Sequence, residues 1–136
     1  MENYKNKIVK LEVSKKWKIK FNLILEASPI TKFGFPKYKN IKILSSKGFM
    51  INPTFNGWAF FFGPLYYFTK GMWKKALTLL GVGVLWAILL TILEMFISVP
   101  QDFQNAITFG GFGALYSTMA SYDYYRTKVL KENFWW

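Results

Sequence analysis

The sequence predicts a membrane α-helical protein, in which a two-span antiparallel helical hairpin follows a small, basic, β-rich cytoplasmic domain. Two observations predict the hairpin: residues 76–98 contain a single charged side chain, that of Glu94, and residues 103–122 contain none. A third observation predicts the domain, because twelve of the eighteen basic residues lie in residues 1–48. An aromatic segment that lies at the membrane interface or re-enters the membrane is expected to join the two parts.

The composition agrees with a membrane protein. Of 136 residues, 52% are hydrophobic and 21% are aromatic, which is more apolar surface than a soluble domain of this size can bury. No secretory signal peptide is expected, since the first twenty residues have no apolar stretch. Four regions result: the basic domain at 1–48, the aromatic segment at 49–75, the hairpin at 76–122 and a basic, aromatic cytoplasmic tail at 123–136.

Alternating side chains predict the strands of the N-terminal domain. Residues 7–13 and 17–26 alternate apolar with polar side chains, which is the period of a half-buried strand. The Ser-Lys-Lys sequence between them predicts a hairpin connection, and residues 41–44 predict a third strand. Residues that disfavour regular strands interrupt the pattern before that third strand: Pro29, Gly34 and Pro36.

The two apolar stretches have the length of membrane spans. A helix over residues 76–98 would be roughly 34 Å long, enough to cross a hydrocarbon core of about 30 Å. Residues 103–122 predict a second span that is less apolar than the first. Residues 99–102 form the turn between the spans, and Pro100 is expected to end the first helix.

Basic residues predict that both termini lie in the cytoplasm. The two-span arrangement puts all the lysine clusters on one side and the turn at 99–102, which has no basic residue, on the other. Residues 55–69 are short for a span and contain glycine and proline, so we expect them in the cytoplasmic leaflet; a third span is the alternative. The residues expected at the lipid interface are Trp58, Tyr66, Tyr67, Trp73, Lys74, Lys75 and Arg126.

Small residues predict where the membrane helices pack, because they let helix backbones approach closely in lipid. They share one face of the second predicted span and are Ala106, Gly110, Gly113, Ser117, Ala120 and Ser121. This face either closes the hairpin or joins copies of the chain. On the first span, Glu94 is a candidate functional residue because it is ionisable; the alternative is an interfacial residue that bonds across the turn to Asn105 or Thr108.

The sequence lacks the signatures of common enzymes. It has no histidine and no cysteine, so histidine-based acid–base catalysis, thiol nucleophiles and thiolate metal sites are excluded. It also has no phosphate-binding loop motif, no dinucleotide-binding motif and no clustered pair of carboxylates. The glycine-rich residues 110–113 lie in an apolar stretch, which favours helix packing. We therefore predict no enzymatic activity, no catalytic residue, no metal and no cofactor.

The lysine-rich N-terminal region predicts an anionic partner. Residues 1–48 hold twelve lysines and three glutamates, giving a net charge of +9. Anionic phospholipid is the favoured partner, since each lysine near a membrane surface contributes about 1 kcal/mol of attraction. Nucleic acid and an acidic protein are the alternatives, with aromatic residues available for stacking. The lysines predicted to bind the partner are Lys15, Lys16, Lys18 and Lys20.

The central region resembles a known family of small bacterial inner-membrane proteins. The residues that carry the resemblance are Phe55-Asn56, Trp58-Ala59-Phe60, Phe62-Gly63-Pro64 and Lys70-Gly71-Met72-Trp73-Lys74-Lys75, followed by the basic, aromatic tail YDYYRTKVLKE. Over residues 49–132 they resemble the domain of unknown function 2628 family, which includes HrgC-like proteins. The resemblance implies a location in the bacterial cytoplasmic membrane and implies no activity.

These observations predict a non-enzymatic inner-membrane protein. We expect it to form homo-oligomers and to act as a membrane scaffold or as a component of a pore. The alternative is a membrane-tethered adaptor whose basic N-terminal domain binds nucleic acid or an acidic protein.

Overall fold

The computed structural model describes residues 2–32, 35–45 and 51–136, and these are predominantly helical. The elements in chain order are helices α1 (Glu2–Lys10) and α2 (Lys15–Ala27), strands β1 (Pro29–Lys32) and β2 (Phe35–Tyr38), helices α3 (Ile41–Ser45), α4 (Gly57–Phe62), α5 (Pro64–Thr69), α6 (Trp73–Glu94) and α7 (Gln101–Asn105), the π-helical stretch π1 (Ala106–Gly111), helix α8 (Phe112–Tyr125) and the π-helical stretch π2 (Arg126–Leu130). The elements from α7 to π2 follow one another without a break and are called the C-terminal helical segment below.

The prediction of a β-rich N-terminal domain is wrong. The residues predicted as its first two strands lie mostly in α1 and α2, and those of the third lie in α3. Phe21 lies four residues after Trp17, and Ile24 lies three residues after Phe21. The alternating stretch therefore also has the period of a helix. Packing selects the helical face, because the Trp17 and Phe21 rings lie 4.7 and 5.5 Å from the ring of Tyr124 in α8.

The described residues form one small sheet, and it lies where prolines predicted a break. Strands β1 and β2 pair antiparallel, with Pro29 opposite Tyr38 and Thr31 opposite Pro36. A two-stranded sheet consists of edge strands, and each has an open side on which a proline needs no backbone donor. The predicted break at Gly34 lies outside the described residues.

Helix α6 is the single helix among the described residues that is long and apolar enough to cross a membrane. Its 22 residues approach the length of the predicted first span, and the helix ends at Glu94, before Pro100. Only 11% of its most apolar stretch is buried, whereas the core helix of a soluble protein is mostly buried. The first predicted span is therefore a candidate membrane helix by length and composition.

The two-span hairpin prediction is wrong, because residues 103–122 do not form a second helix of that kind. The π-helical stretch Ala106–Gly111 divides this region, and α8 has 14 residues. Most of α8 from Tyr116 onwards is buried inside the protein, including Ser117 and Asp123. The polar and small side chains that made this stretch weakly apolar are used for packing within the chain.

The C-terminal helical segment nevertheless returns along α6. Near the far end of α6, the Gln104 amide donates a hydrogen bond to the Glu94 carboxylate. Midway, the Trp86 indole N–H donates to Thr108 Oγ1 at 3.2 Å. Near the beginning of α6, Lys75 lies beside Asp123 of α8. The basic residues of π2 therefore lie at the same end of α6 as those of residues 70–75.

Helix α4 packs against α8 and α5 packs against α6, and neither helix of 6 residues is long enough to span a membrane. Asn56 begins α4: its side chain accepts a hydrogen bond from Ala59 N at 3.4 Å, and its own N–H donates to the carbonyl oxygen of Ser117 at 3.1 Å. Gly63, with φ +48°, joins the two helices. A Cβ at Gly63 would lie 2.9 Å from the Tyr116 ring, so the close approach to α8 requires glycine.

Candidate functional site

Helix α6 presents a long apolar surface. Its exposed side chains form the outer face over about five turns: Leu77, Leu80, Val84, Leu85, Ile88, Leu89, Ile92 and Leu93. Leu85 in the middle of this face is 68% exposed. Soluble monomers rarely expose apolar patches of this extent, which more often mark contact with a membrane or a protein.

Aromatic and basic side chains surround the beginning of α6. Trp58 and Trp73 are both exposed, and Lys74 Nζ lies 5.7 Å from the ring centroids of Trp73 and Trp135. Tryptophan next to lysine is typical of the level of lipid headgroups, where an apolar ring and a charge are both accommodated. The apolar surface of α6 therefore begins next to a group of basic and aromatic side chains at the N-terminal end of the helix.

Of the residues predicted at the lipid interface, some belong to this basic, aromatic group and others lie inside the protein. Trp58, Trp73 and Lys74 have exposed or half-buried side chains. The remaining predicted residues are buried or mostly buried and make internal contacts: Tyr66, Tyr67, Lys75 and Arg126. The side chains of these four residues therefore contribute to contacts inside the protein and not to the predicted lipid interface.

A groove of about 750 Å³ lies between the N-terminal half of α2 and the α4–α5 pair. Its walls combine aromatic side chains with three lysines: Trp17, Phe55, Trp58, Phe61, Phe62 and Tyr66, and Lys16, Lys20 and Lys70. Sites for small molecules typically have this size and are mostly apolar with a few polar groups. We call this cavity the α2–α4 groove.

Two lysines of the groove converge on one indole ring. Lys20 Nζ and Lys70 Nζ lie 5.3 and 5.6 Å from the centroid of the Trp17 ring. Lys70 also lies 5.7 Å from the Tyr66 ring and 5.2 Å from the Tyr124 ring. Among the residues that the structure describes, no carboxylate forms a salt bridge with either lysine.

Burial lowers the pKa of Lys20 and of Lys70, and the nearby Lys128 lowers the pKa of Lys70 further. The side chain of Lys20 is unusual for a lysine, since the residue is only 8% exposed. A partly buried cation without an anionic neighbour is stabilised by an anion, which restores both the solvation and the pKa. The lysines of the groove therefore favour the binding of a negatively charged group.

The lysines that the sequence predicted to bind an anionic partner divide by position. Lys16 and Lys20 line the groove, whereas Lys15 is exposed and lies outside it. Lys18 donates a hydrogen bond of 2.6 Å to the carbonyl oxygen of Val9. Lys70 belongs to the groove but was absent from the predicted set, because it lies fifty residues further along the chain.

A cluster of polar side chains lies inside the protein, next to the first turn of α6. Lys75 Nζ is 4.0 Å from Asp123 Oδ2, and both side chains are wholly buried. The Tyr67 hydroxyl lies 3.4 Å from the same carboxylate oxygen and 3.2 Å from the Tyr116 carbonyl oxygen. Burial raises the pKa of Asp123 to about 6, although Lys75, Arg126 and the Tyr67 hydrogen bond each lower it.

The C-terminal residues cover this cluster. Arg126 forms a salt bridge of 2.6 Å with Glu132, and the Phe134 ring lies 3.7 Å from the Arg126 guanidinium carbon. The Trp136 ring lies 4.1 Å from Lys75 Nζ. Asp123 was absent from the residues predicted from the sequence, although an isolated acid in the aromatic run YDYYR is a detectable signal.

The predicted packing face of small residues is largely occupied within the chain. Ser117 and Ser121 are completely buried, and a Cβ at Gly113 would lie 2.8 Å from the Phe60 ring of α4. Ala106 is exposed, and a Cβ at Gly110 would meet nothing within 4 Å. The face therefore packs mainly against α4, and the oligomer that it was predicted to form stays a prediction.

Glu94 lies at the exposed end of α6, where Gln104 is its hydrogen-bond partner. This contact crosses the turn, as the interfacial alternative predicted, but involves a different residue from the two expected. Among residues 2–32, 35–45 and 51–136, no group of three or more His, Cys, Asp or Glu residues could hold a metal ion.

Comparison with known proteins identifies the family. The model of the family described as protein of unknown function (DUF2628) matches residues 7–129. The chain belongs to this family. The match to DUF2628 confirms the resemblance and extends it over α2 and the end of α1, which lie outside the range that first suggested it. A likeness to HrgC-like proteins stays a prediction. No curated protein matches the chain. No solved structure matches it either.

Proposed function

We propose that this chain is a non-enzymatic protein of the bacterial cytoplasmic membrane that binds anionic phospholipid at the cytoplasmic surface. In this proposal α6 holds the protein in the bilayer, α7 and π1 lie along α6, and the elements from α1 to α5 form a basic headpiece together with the buried part of α8. The observation that carries the proposal is the exposed apolar surface of α6, which begins at a ring of tryptophan and lysine side chains. This arrangement is typical of a membrane anchor whose basic end faces lipid headgroups.

The charge distribution supports the proposed orientation. Lys70, Lys74 and Lys75 lie at the beginning of α6, and the return of the C-terminal helical segment brings Arg126 and Lys128 to the same end. The other end carries Glu94 and Asp102 and no basic residue. Because positively charged residues are retained on the cytoplasmic side, the end with the lysines is assigned to the cytoplasm.

The groove supports lipid as the ligand class. Its lysines lack carboxylate partners among the described residues, and its other walls are mostly aromatic. An anionic phospholipid offers a phosphate for the lysines and acyl chains for the aromatic walls. The absence of histidine and cysteine from the sequence supports a binding function rather than a catalytic one.

Lipid preference tests the proposed function. The purified full chain is placed in a mild detergent, and phosphatidylglycerol or phosphatidylcholine with identical acyl chains is added. We expect native mass spectrometry to show more retained phosphatidylglycerol, and we expect this lipid to raise the unfolding temperature more, since ligands that bind only the folded state stabilise it. Equal retention of the two lipids would contradict the proposal.

Thiol labelling tests the orientation, and the cysteine-free sequence makes the experiment direct. Single cysteines are introduced at Ser14, Gln101 and Lys131, and intact cells are treated with an impermeant thiol reagent. We expect labelling at Gln101 only, because it lies beyond the far end of α6. Labelling at Ser14 without labelling at Gln101 would contradict the proposed orientation and support the opposite one.

A membrane scaffold or pore-like assembly of several copies is the second candidate. The observation that favours it is the open outer face of α6, where a Cβ at Gly81 would meet nothing within 4 Å. If copies pack there, Gly81→Leu should yield a smaller species in mild detergent, because close helix approach supplies the packing energy in lipid. Ala87→Leu is the control, since it enlarges an exposed side chain roughly 120° away around the same helix. A wild-type chain that stays monomeric in several detergents and nanodiscs would exclude this candidate.

A further inference from the structure

We infer that the α2–α4 groove binds one anionic phospholipid molecule, with its phosphate between Lys20 and Lys70 and its acyl chains against the aromatic walls of α4 and α5. This inference rests on the proposed function and makes it specific: a single built site, rather than the overall positive charge of the headpiece, selects the lipid.

The position of the two ammonium groups carries the headgroup assignment. Both lie within 5.6 Å of the centroid of the Trp17 ring, although Lys20 belongs to α2 and Lys70 directly follows α5, fifty residues further along the chain. Neither forms a salt bridge within the described part of the chain. A phosphate that contacts both ammonium groups would receive two charge-assisted hydrogen bonds and would neutralise charge that burial makes unfavourable.

The shape of the cavity carries the acyl-chain assignment. A second cleft of about 420 Å³ adjoins the groove and is lined by Leu65 and Thr69. Four residues line both cavities: Trp58, Phe62, Tyr66 and Lys70. Lys70 therefore lies where two mostly apolar cavities meet, which suits a headgroup from which two acyl chains extend.

The location of the site favours a membrane lipid over other amphiphiles and over nucleic acid. Lys70 lies three residues before the beginning of α6, and Trp58 and Leu65 at the edge of the cavities are exposed beside it. A lipid can thus enter sideways from the bilayer in which α6 is placed. A nucleic acid would need a continuous row of cations, whereas Lys70 is the only charged residue among the described ones that line the second cleft.

Substitutions in the groove test the inference in the full chain, with phosphatidylglycerol and phosphatidylcholine of equal chain length as probes. We expect Lys20→Gln and Lys70→Gln each to weaken phosphatidylglycerol binding about tenfold, as expected for one charge-assisted hydrogen bond. Phosphatidylcholine binding should change little. Lys20→Arg and Lys70→Arg keep the charge and should retain the preference for phosphatidylglycerol.

Two further variants separate the groove from general surface charge. Lys15→Gln makes the same charge change on α2 outside the groove, and it should leave binding unaltered. Gly57→Phe adds a ring to the groove wall where a Cβ would meet only Phe55, at 3.8 Å, so it should fold and weaken binding of both lipids. Circular dichroism and the unfolding temperature in the same detergent check that each variant is folded.

The results distinguish this inference from the proposed function. If Lys15→Gln weakens phosphatidylglycerol binding as much as Lys70→Gln does, or if Gly57→Phe binds both lipids normally, the single site is wrong while the lipid preference stands. If the wild-type chain shows no preference for phosphatidylglycerol, the proposed function and the single site both fail.

Discussion

Lys75 Nζ and Asp123 Oδ2 lie 4.0 Å apart with both side chains completely excluded from solvent. The pair joins the beginning of α6 to α8, across 48 residues of sequence. Neither Lys75 Nζ nor Asp123 Oδ1 has a hydrogen-bond partner among the described residues. Two buried charges at this distance recover only part of the solvation that they lose, so the pair fixes the position of α6 at a cost in stability.

The stability of the protein should fall as the pH rises from about 4 to about 6. Burial raises the pKa of Asp123 from 3.8 to about 6, so in this range the folded state holds a proton that the unfolded state has lost. The contribution of Asp123 to stability is therefore fully present below its pKa of 3.8 in the unfolded state, and it is lost as the pH rises through its pKa of about 6 in the folded state. At about 1.4 kcal/mol per pKa unit, the loss is about 3 kcal/mol. Chemical denaturation at several pH values measures it.

Asp123→Asn is the control for this pH dependence, because it keeps an acceptor for the Tyr67 hydroxyl and cannot ionise. We expect the loss between pH 4 and 6 to be absent from the variant, so that above pH 6 the variant gains stability relative to the wild type. A variant with the same pH profile as the wild type would show that another group is responsible.

Lys75→Met should extend the loss of stability to higher pH, while the loss still begins at about pH 4. The ammonium of Lys75 lowers the pKa of Asp123, so its removal leaves burial less opposed and raises that pKa further above 6. Methionine has a similar length and can occupy the buried space. Denaturation profiles of the variant and the wild type over pH 4–9 measure the pH up to which stability continues to fall. Lys74→Met, at the neighbouring half-buried position, is the control and should leave the profile unchanged.

Gly113→Leu should destabilise the folded chain, whereas Gly110→Leu should not. At Gly113 an added Cβ would lie 2.8 Å from the Phe60 ring, and larger side chains in packed interiors cost about 1 to 3 kcal/mol or more. At Gly110 a Cβ would meet nothing within 4 Å. Unfolding temperatures of the two variants in detergent provide the comparison. Similar destabilisation at both positions would contradict the packing of α8 against α4.

Gly63→Ala should cost more stability than Gly71→Ala. Both glycines have positive φ, +48° and +75°, so alanine is strained at each by roughly 1 to 2 kcal/mol. Gly63 alone also lies against another side chain, since its added Cβ would be 2.9 Å from the Tyr116 ring. Denaturation of the two variants separates the backbone strain from the clash. Equal losses would mean that α8 can move away from the α4–α5 connection.

Some features of this protein depend only on composition and on local chain properties, and these can be predicted from the sequence. The apolar run that forms α6 is recognisable because a membrane helix requires about 20 apolar residues in succession. The family membership depends on a linear order of residues. The concentration of lysines near the N-terminus is likewise a property of sequence alone, and so is the absence of histidine and cysteine.

The other features arise from contacts between residues that are distant in sequence, so they are defined only in the folded chain. Residues 17–26 fit both a strand and a helix, and packing of Trp17 and Phe21 against Tyr124 selects the helix. The uncharged run at 103–122 had the length of a span, but its Ser117 and Ser121 are buried within the protein. The groove also exists only in three dimensions, since Lys20 of α2 and Lys70 after α5 are fifty residues apart in sequence and lie at one indole ring.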